Sequence, residues 1–153
     1  MKTVIALSLS FLIIVLDQLT KYWAMTHLMP YETLAVFPML SWTLAFNSGS
    51  AFSLFAESGR WHLWFFAGFS ALVSLGLIAW ILRIKSSLFT QQLALALILG
   101  GAIGNLIDRL RFNYVIDFID VYYASYHWPV FNVADSAICL GGIWLAILWV
   151  REK

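Results

Sequence analysis

Between Trp61 and Leu82 the chain runs WHLWFFAGFSALVSLGLIAWIL, 22 residues without an Asp, Glu, Lys or Arg. A helix that crosses a bilayer needs roughly 20 mainly apolar residues, and this stretch supplies them. The same reading extends outward in both directions. Ser86 to Ile107 is a second uncharged run, Ser136 to Val150 a third, and Thr3 to Leu16 a fourth whose apolar pattern continues past Asp17 to Ala24. The runs are continuous rather than alternating. They therefore predict membrane-spanning helices rather than barrel strands, at about 4–24, 61–82, 88–108 and 133–150 of one membrane-embedded domain, 1–153. The expected fold class is an all-α integral membrane protein of four transmembrane helices.

Composition agrees. Of 153 residues 62% are apolar and 11% charged, with a mean hydropathy of +0.85; soluble domains carry about 25% charged residues. Nine Lys and Arg against eight Asp and Glu leave a net charge of +1, no surface for a polyanion, so nucleic acid is not an expected partner. A single cysteine, Cys139, excludes an internal disulfide and any multi-cysteine metal site. It lies among apolar residues and reads as packing rather than as a nucleophile.

Lys2, Arg83, Lys85, Arg151 and Lys153 fall on one side of the four-span arrangement, and Lys21, Arg60, Arg109 and Arg111 near the other. That excess places both termini in the cytoplasm. Trp23, Trp61, Trp64, Trp80 and Trp149 fall near span ends, where an indole suits the headgroup layer. Lys2 and the apolar run after it resemble a signal peptide, but the following Asp17-Gln18-Leu19-Thr20-Lys21 offers no small-x-small cleavage site, so the segment reads as a retained helix. Two connections are long and lie on the outer side. Met25–Arg60 includes an alternating Leu40–Phe46 that reads as a short strand, and Leu110–Asn132 includes a strand-like Tyr114–Ile116.

An ionisable side chain at membrane depth costs about 2.5–3.5 kcal/mol on insertion scales and marks a candidate site. Asp17, Asp108, Asp117, Asp120 and Asp135 all fall near the outer span ends. In Gly100-Gly101-Ala102-Ile103-Gly104-Asn105-Leu106-Ile107-Asp108-Arg109, Gly100 and Gly104 form a small-xxx-small pair that admits a close helix neighbour. Asn105, Asp108 and Arg109 share one helix face; the ordinary alternative is a packing face with an Asp–Arg pair. Asn132 and Asp135 have the spacing of a helix cap with a carboxylate in the first turn. Asp117 and Asp120, if extended, point to opposite faces, so one of them serves a site and Asp120 reads as a loop carboxylate facing water. Asp17 and Lys21 have the spacing of a local salt bridge, and Asn47 before Ser48-Gly49 that of a turn former.

Two neighbouring carboxylates do not both ionise easily; one keeps a proton while the other stays a base. Such a pair activates water against a peptide carbonyl and protonates the leaving amine, with no metal or cofactor. His27, His62 and His127 lack the zinc-peptidase spacing, and there is no G-x-S-x-G elbow or phosphate loop. Intramembrane carboxylates also serve proton relays, so a proton-coupled transporter or channel subunit is the alternative. Transporter sites lie at the midplane of repeated halves, whereas these carboxylates sit near one interface.

Taken together the residues resemble the bacterial lipoprotein signal peptidase (signal peptidase II) family. Five blocks carry the likeness: Asp17-Gln18-x-x-Lys21; Asn47-x-Gly49-x-Ala51-Phe52-Ser53; Gly100-Gly101-Ala102-x-Gly104-Asn105-x-x-Asp108-Arg109; Val115-Ile116-Asp117-Phe118; and Phe131-Asn132-x-Ala134-Asp135-Ser136. Ser48 and Ser50 are small departures in the second block. The resemblance implies an inner-membrane aspartyl endopeptidase that removes signal peptides from prolipoproteins before a diacylglyceryl-modified cysteine, near the outer leaflet. It implies Asp117 and Asp135 as the catalytic pair, and Asn47, Asn105, Asp108, Arg109 and Asn132 as orienting or substrate-binding residues. It implies Asp17 as support, and a β-like cradle with a flexible loop around residues 30–60. The expected partners are the lipidated prolipoprotein and membrane lipid; the expected state is a monomer without cofactor or metal.

Overall fold

The computed structural model describes residues 1–49 and 61–151. Four helices, α1 (Lys2–His27), α2 (Trp61–Arg83), α3 (Phe89–Phe112) and α4 (Val133–Arg151), are joined by strands β1 (Thr33–Phe37), β2 (Leu40–Asn47), β3 (Val115–Tyr123) and β4 (Tyr126–His127), with a 3₁₀ turn at Ser86–Leu88 before α3. All four helices are long and apolar enough to cross a membrane. The four expected spans are present. α1 runs on to His27 and α3 to Phe112, a few residues past their apolar cores; in the last turn of α1 the Thr26 hydroxyl donates to the Tyr22 and Trp23 carbonyls of its own helix, 3.0 Å each. α3 stops at Asn113, which takes a left-handed φ of 65° and donates its N–H to the Arg109 carbonyl, 3.1 Å.

α3 is the central helix and packs against the other three. Lipid is as apolar as leucine, so close backbone approach rather than the hydrophobic effect must hold such helices together. The glycines supply it. A Cβ on Gly100 would lie 2.8 Å from the Ser10 carbonyl oxygen of α1, one on Gly101 would collide with the Ala134 carbonyl of α4, and one on Gly141 would lie 2.6 Å from the Ala94 carbonyl. Ser10 Oγ adds an interhelical hydrogen bond to the Ala96 carbonyl, 2.9 Å. Ala6, Ile81, Leu95, Ala96 and Leu99 fill the space between, while Phe11, Leu72, Leu75, Leu140 and Ile143 point outward, as lipid-facing residues should. Cys139 is exposed, so the packing role read from its neighbours does not hold.

The strands form one antiparallel sheet in the order β1-β2-β3-β4, at the bundle end where α1 and α3 finish and α4 begins. Leu44, Ile116 and Phe118 pack with Ala24 of α1, and Trp42 bridges Trp23 and Phe118 at ring separations of 6.0 and 5.9 Å. The strand expected at Leu40–Phe46 is β2. The one expected at Tyr114–Ile116 is nine residues long and includes both Asp117 and Asp120. Asp120 is therefore not a water-facing loop carboxylate. It is 3% exposed and accepts hydrogen bonds from Thr43 Oγ1 (3.1 Å) and from the His127 ring, whose Nδ1 stands 2.8 Å away. Of the second motif block, residues Ser50 to Ser53 lie outside the described residues, as do Arg60 and Lys153 and the part of the expected loop from 50 to 60.

Candidate active site

β2 and β3 run antiparallel with Ala45 opposite Asp117 and Asn47 opposite Val115. Odd spacing along β3 sends Asp117 and Asp120 to opposite faces, and Asp117 is the one directed at the helices. α4 begins directly beneath it. Asn132 Oδ1 accepts the Asp135 N–H at 2.8 Å, the expected helix cap, and holds the Asp135 carboxylate in the first turn.

Three asparagines surround the two carboxylates in one pattern. Each presents its Nδ2 to a carboxylate, and each has its Oδ1 turned to a group that can only donate. Asn47 Nδ2 donates to Asp117 Oδ2 (3.0 Å) while its Oδ1 accepts the Gly49 N–H (2.9 Å). Gly49 takes a φ of 82°, open to glycine at no cost, so the turn expected of Asn47 and its contact with Asp117 coexist. Asn132 Nδ2 donates to Asp117 Oδ1 (2.6 Å), with its Oδ1 on the Asp135 N–H. Asn105 Nδ2 donates to Asp135 Oδ1 (2.8 Å), with its Oδ1 on Lys21 Nζ (2.9 Å). A backbone N–H and an ammonium cannot accept, so these bonds fix which way each amide faces. Asn132 Nδ2 also reaches Asn105 Oδ1, 3.2 Å, which closes a continuous path Asp117–Asn132–Asn105–Asp135.

Behind that path, between α1 and α3, Lys21 Nζ lies 2.8 Å from both Asp17 Oδ2 and Asp108 Oδ2, all fully buried. A buried cation demands such neutralisation. Gln18 donates to Asp108 Oδ1 (2.9 Å). The second function of both carboxylates is to hold backbone: Asp17 Oδ1 accepts the Ala134 N–H (2.9 Å) at the start of α4, and Asp108 Oδ2 accepts the Ile116 N–H (3.1 Å) just before Asp117. The cluster thus fastens the two segments that carry Asp135 and Asp117. Gly104 makes room for it, since a Cβ there would lie 2.6 Å from Asp17 Oδ2.

The Asp117 carboxyl is pushed up to about 7, first by burial and then by the charge of Asp135; the Asn47 and Asn132 donors and Lys21 pull the other way. Arg109 does not pair with Asp108. Its guanidinium turns to the opposite side of α3 and donates to Ser70 Oγ of α2 at 3.3 Å. There it lines a cavity of about 350 Å³ with Phe66, Phe69, Ile138, Asn105 and Asp135. Asp135 also borders a second cavity, about 470 Å³, walled by Trp128, Pro129, Val130 and Phe131, with Asn47 at its edge. Two acidic groups joined by amide donors, one with raised proton affinity and the other between two largely apolar cavities, form an arrangement suited to activating water on a substrate that brings apolar groups with it. Among the described residues no three His, Cys, Asp or Glu side chains are grouped to hold a metal ion.

Of the residues singled out in the sequence, Asn47, Asn105, Asn132, Asp117 and Asp135 converge. Asp17 and Asp108 sit one layer behind, around Lys21, and Arg109 faces the cavity. The pairing of Asp17 with Lys21 is real but incomplete as a reading, because Lys21 has two further partners on α3. Ser70 was not marked by any sequence signal; a serine in an apolar helix is too common to stand out.

The sequence matches the signal peptidase II family over residues 9–151. It is 51% identical over 141 residues to a lipoprotein signal peptidase of Acinetobacter baumannii, covering 92% of this chain and 80% of that protein. A lipoprotein signal peptidase of Coxiella burnetii is 46% identical (93% and 86% covered), and one of Hydrogenovibrio crunogenus 42% (95% and 86%). A solved bacterial membrane enzyme superposes with a TM-score of 0.86 at 29% identity, over 97% of this chain and 94% of that one.

Proposed function

This chain belongs to the signal peptidase II family and is a multi-pass bacterial membrane protein, and on that footing we propose that it cleaves signal peptides from prolipoproteins as an aspartyl endopeptidase, with Asp117 and Asp135 sharing one proton. The observation that carries the reading is that Asp117 and Asp135 are joined through Asn132 and Asn105, whose Nδ2 groups donate to the two carboxylates, and the upward push on the Asp117 carboxyl by burial agrees with it. Asp117 holds the proton and Asp135 is the base. Asp135 takes a proton from water as the water oxygen bonds to the scissile carbonyl carbon, and Asp117 hydrogen-bonds the carbonyl oxygen. Proton transfer to the leaving nitrogen then lets the C–N bond break, giving one acid and one amine from one peptide and one water. In this reading Arg109 and Asn47, which line the two cavities, bind the substrate backbone that must unwind at the cut.

The substrate in this reading is a precursor whose cysteine carries a diacylglyceryl group, and the apolar walls of both cavities that meet at Asp135 suit it. The sheet end of the bundle lies at the outer leaflet and both termini in the cytoplasm, with Lys2, Arg83, Lys85 and Arg151 on the inner side. All of these site residues come from one chain, and the enzyme acts as a monomer, without metal or organic cofactor. The test is cleavage of lipidated and unlipidated precursor in detergent, with and without chelator. We expect dependence on the lipid, indifference to the chelator, and no cleavage by Asp117→Asn or Asp135→Asn although both remain folded. Near-normal cleavage by either variant defeats the reading.

A further inference from the structure

We propose that Lys21 is a positioning residue for this reaction: by donating to Asn105 Oδ1 it sets the direction of the Asn105 amide, and so keeps an N–H rather than a carbonyl oxygen facing Asp135. The inference rests on the reading of Asp135 as the ionised base. It starts from an ambiguity inherent in asparagine. An amide turned by 180° occupies the same space with donor and acceptor exchanged, and only its partners decide between the two. On one side of Asn105 is Asp135 Oδ1, at 2.8 Å, which accepts when ionised and donates when protonated. That partner alone tolerates either direction. On the other side is Lys21 Nζ, 2.9 Å from Oδ1 and buried, which can only donate. Lys21 therefore breaks the tie, and the direction it selects is the one that favours a charged Asp135.

Asn132 Nδ2 also donates to Asn105 Oδ1, but at 3.2 Å, and it is already engaged with Asp117 Oδ1 at 2.6 Å. The charge-assisted bond from Lys21 is the stronger constraint. The groups facing Lys21 are Asp17 from its own helix and Asp108 and Asn105 from α3. Those electrostatically coupled on the far side of Asn105 are Asp135, Asp117 and Arg109. Asp17 and Asp108 neutralise Lys21 but do not touch Asn105, so charge balance and amide direction are separable roles of one ammonium.

The experiment compares Lys21→Met with Lys21→Gln in detergent, using lipidated precursor across a pH series. Both lose the charge and are expected to lower the thermal midpoint alike. Only Gln retains an N–H to offer Asn105. Loss of one oriented donor costs about 10²-fold in rate, so Lys21→Met should lose about that much in kcat with little change in KM. Both variants lose the charge that holds the Asp117 carboxyl down, so the alkaline limb of the pH–rate profile should move up in both. The acid limb should move up only in Lys21→Met, because only there is the ionised base no longer favoured, while Lys21→Gln should keep most of kcat and the wild-type acid limb. Equal kcat and equal profiles for the two variants overturn the proposal and leave Lys21 as a structural charge. If Lys21→Met does not fold, Lys21→Met/Asp108→Asn removes one charge of each sign and carries the same comparison against Lys21→Gln/Asp108→Asn. Asp135→Asn is run alongside: cleavage by it overturns the aspartyl reading, whereas an inactive Asp135→Asn with matching Met and Gln variants overturns only the role of Lys21.

Discussion

Asn132 Nδ2 stands 2.6 Å from Asp117 Oδ1 while Asn132 Oδ1, 2.8 Å from the Asp135 nitrogen, caps the helix that carries Asp135. One side chain therefore sets both acidic groups, the first directly and the second through its backbone. Its two halves can be tested apart. Ser is as good a helix cap as Asn but has no amide N–H to give Asp117. Asn132→Ser should keep more thermal stability than a variant without the cap and still lose about 10²-fold or more in kcat/KM. Asn132→Ala should lose the cap as well, about 1 kcal/mol. Equal stability losses in the two variants, read from thermal melts, would contradict the capping half.

The pH dependence follows from Asp117. Its carboxyl is raised from the ordinary 3.8 to about 7, so in the proposed mechanism the proton it must hold in the free enzyme is lost above about pH 7, and kcat/KM should fall about tenfold per unit there. Stability moves in a related way. Between about pH 4 and 7 the folded protein keeps a proton that the unfolded chain has released, so unfolding becomes easier as pH rises through this window and levels off above it. Asp117→Asn removes the buried charge and should be more stable than wild type at pH 8 while inactive. A melt series at pH 5 and pH 8 checks the sign.

Asp120 provides the contrast. It is as buried as Asp117, but it faces Thr43 and His127 on the other side of β3. Asp120→Asn should leave kcat within about threefold of wild type, because no oriented donor to the pair is lost. It should lower stability modestly by weakening the tie between β3 and His127. An inactive Asp120→Asn beside an active Asp117→Asn would exchange the two assignments.

The helices were legible because bilayer thickness imposes a length on apolar runs, and the small-xxx-small pair at Gly100 and Gly104 was legible because lipid leaves packing to small residues. The sheet was legible only in part. β3 is buried along most of its length, so it lacks the alternation that marked β2, and its two aspartates made it look like a loop. β1 is almost wholly exposed and β4 has two residues, so neither produces a pattern. Asp117, Asp135 and the three asparagines stood out as polar groups in apolar surroundings. The reach of Lys21 across to Asn105 and Asp108 did not, because a local partner at Asp17 was enough to explain it and the others lie more than eighty residues away in sequence.

The glycines of α3 give the last test, since they connect packing to the site. Ala is favoured over Gly in a helix interior by about 1 kcal/mol, so a glycine with open space around it should gain from the change. Gly76 of α2 is the reference: it has nothing within 4 Å of a built Cβ, and Gly76→Ala should be neutral or stabilising. Gly104→Ala puts a methyl 2.6 Å from Asp17 Oδ2 and must move that carboxylate off Lys21 or off the Ala134 N–H. Gly101→Ala meets the Ala134 carbonyl, which is backbone and cannot rotate away, so α4 itself must shift and take Asp135 with it. Overpacking of this kind costs about 1–3 kcal/mol. The expected order of thermal stability is Gly76→Ala, then Gly104→Ala, then Gly101→Ala, with kcat falling in the same order because both damaged contacts hold the start of α4. Full activity in Gly101→Ala would mean that the position of Asp135 does not depend on this approach of α3 to α4.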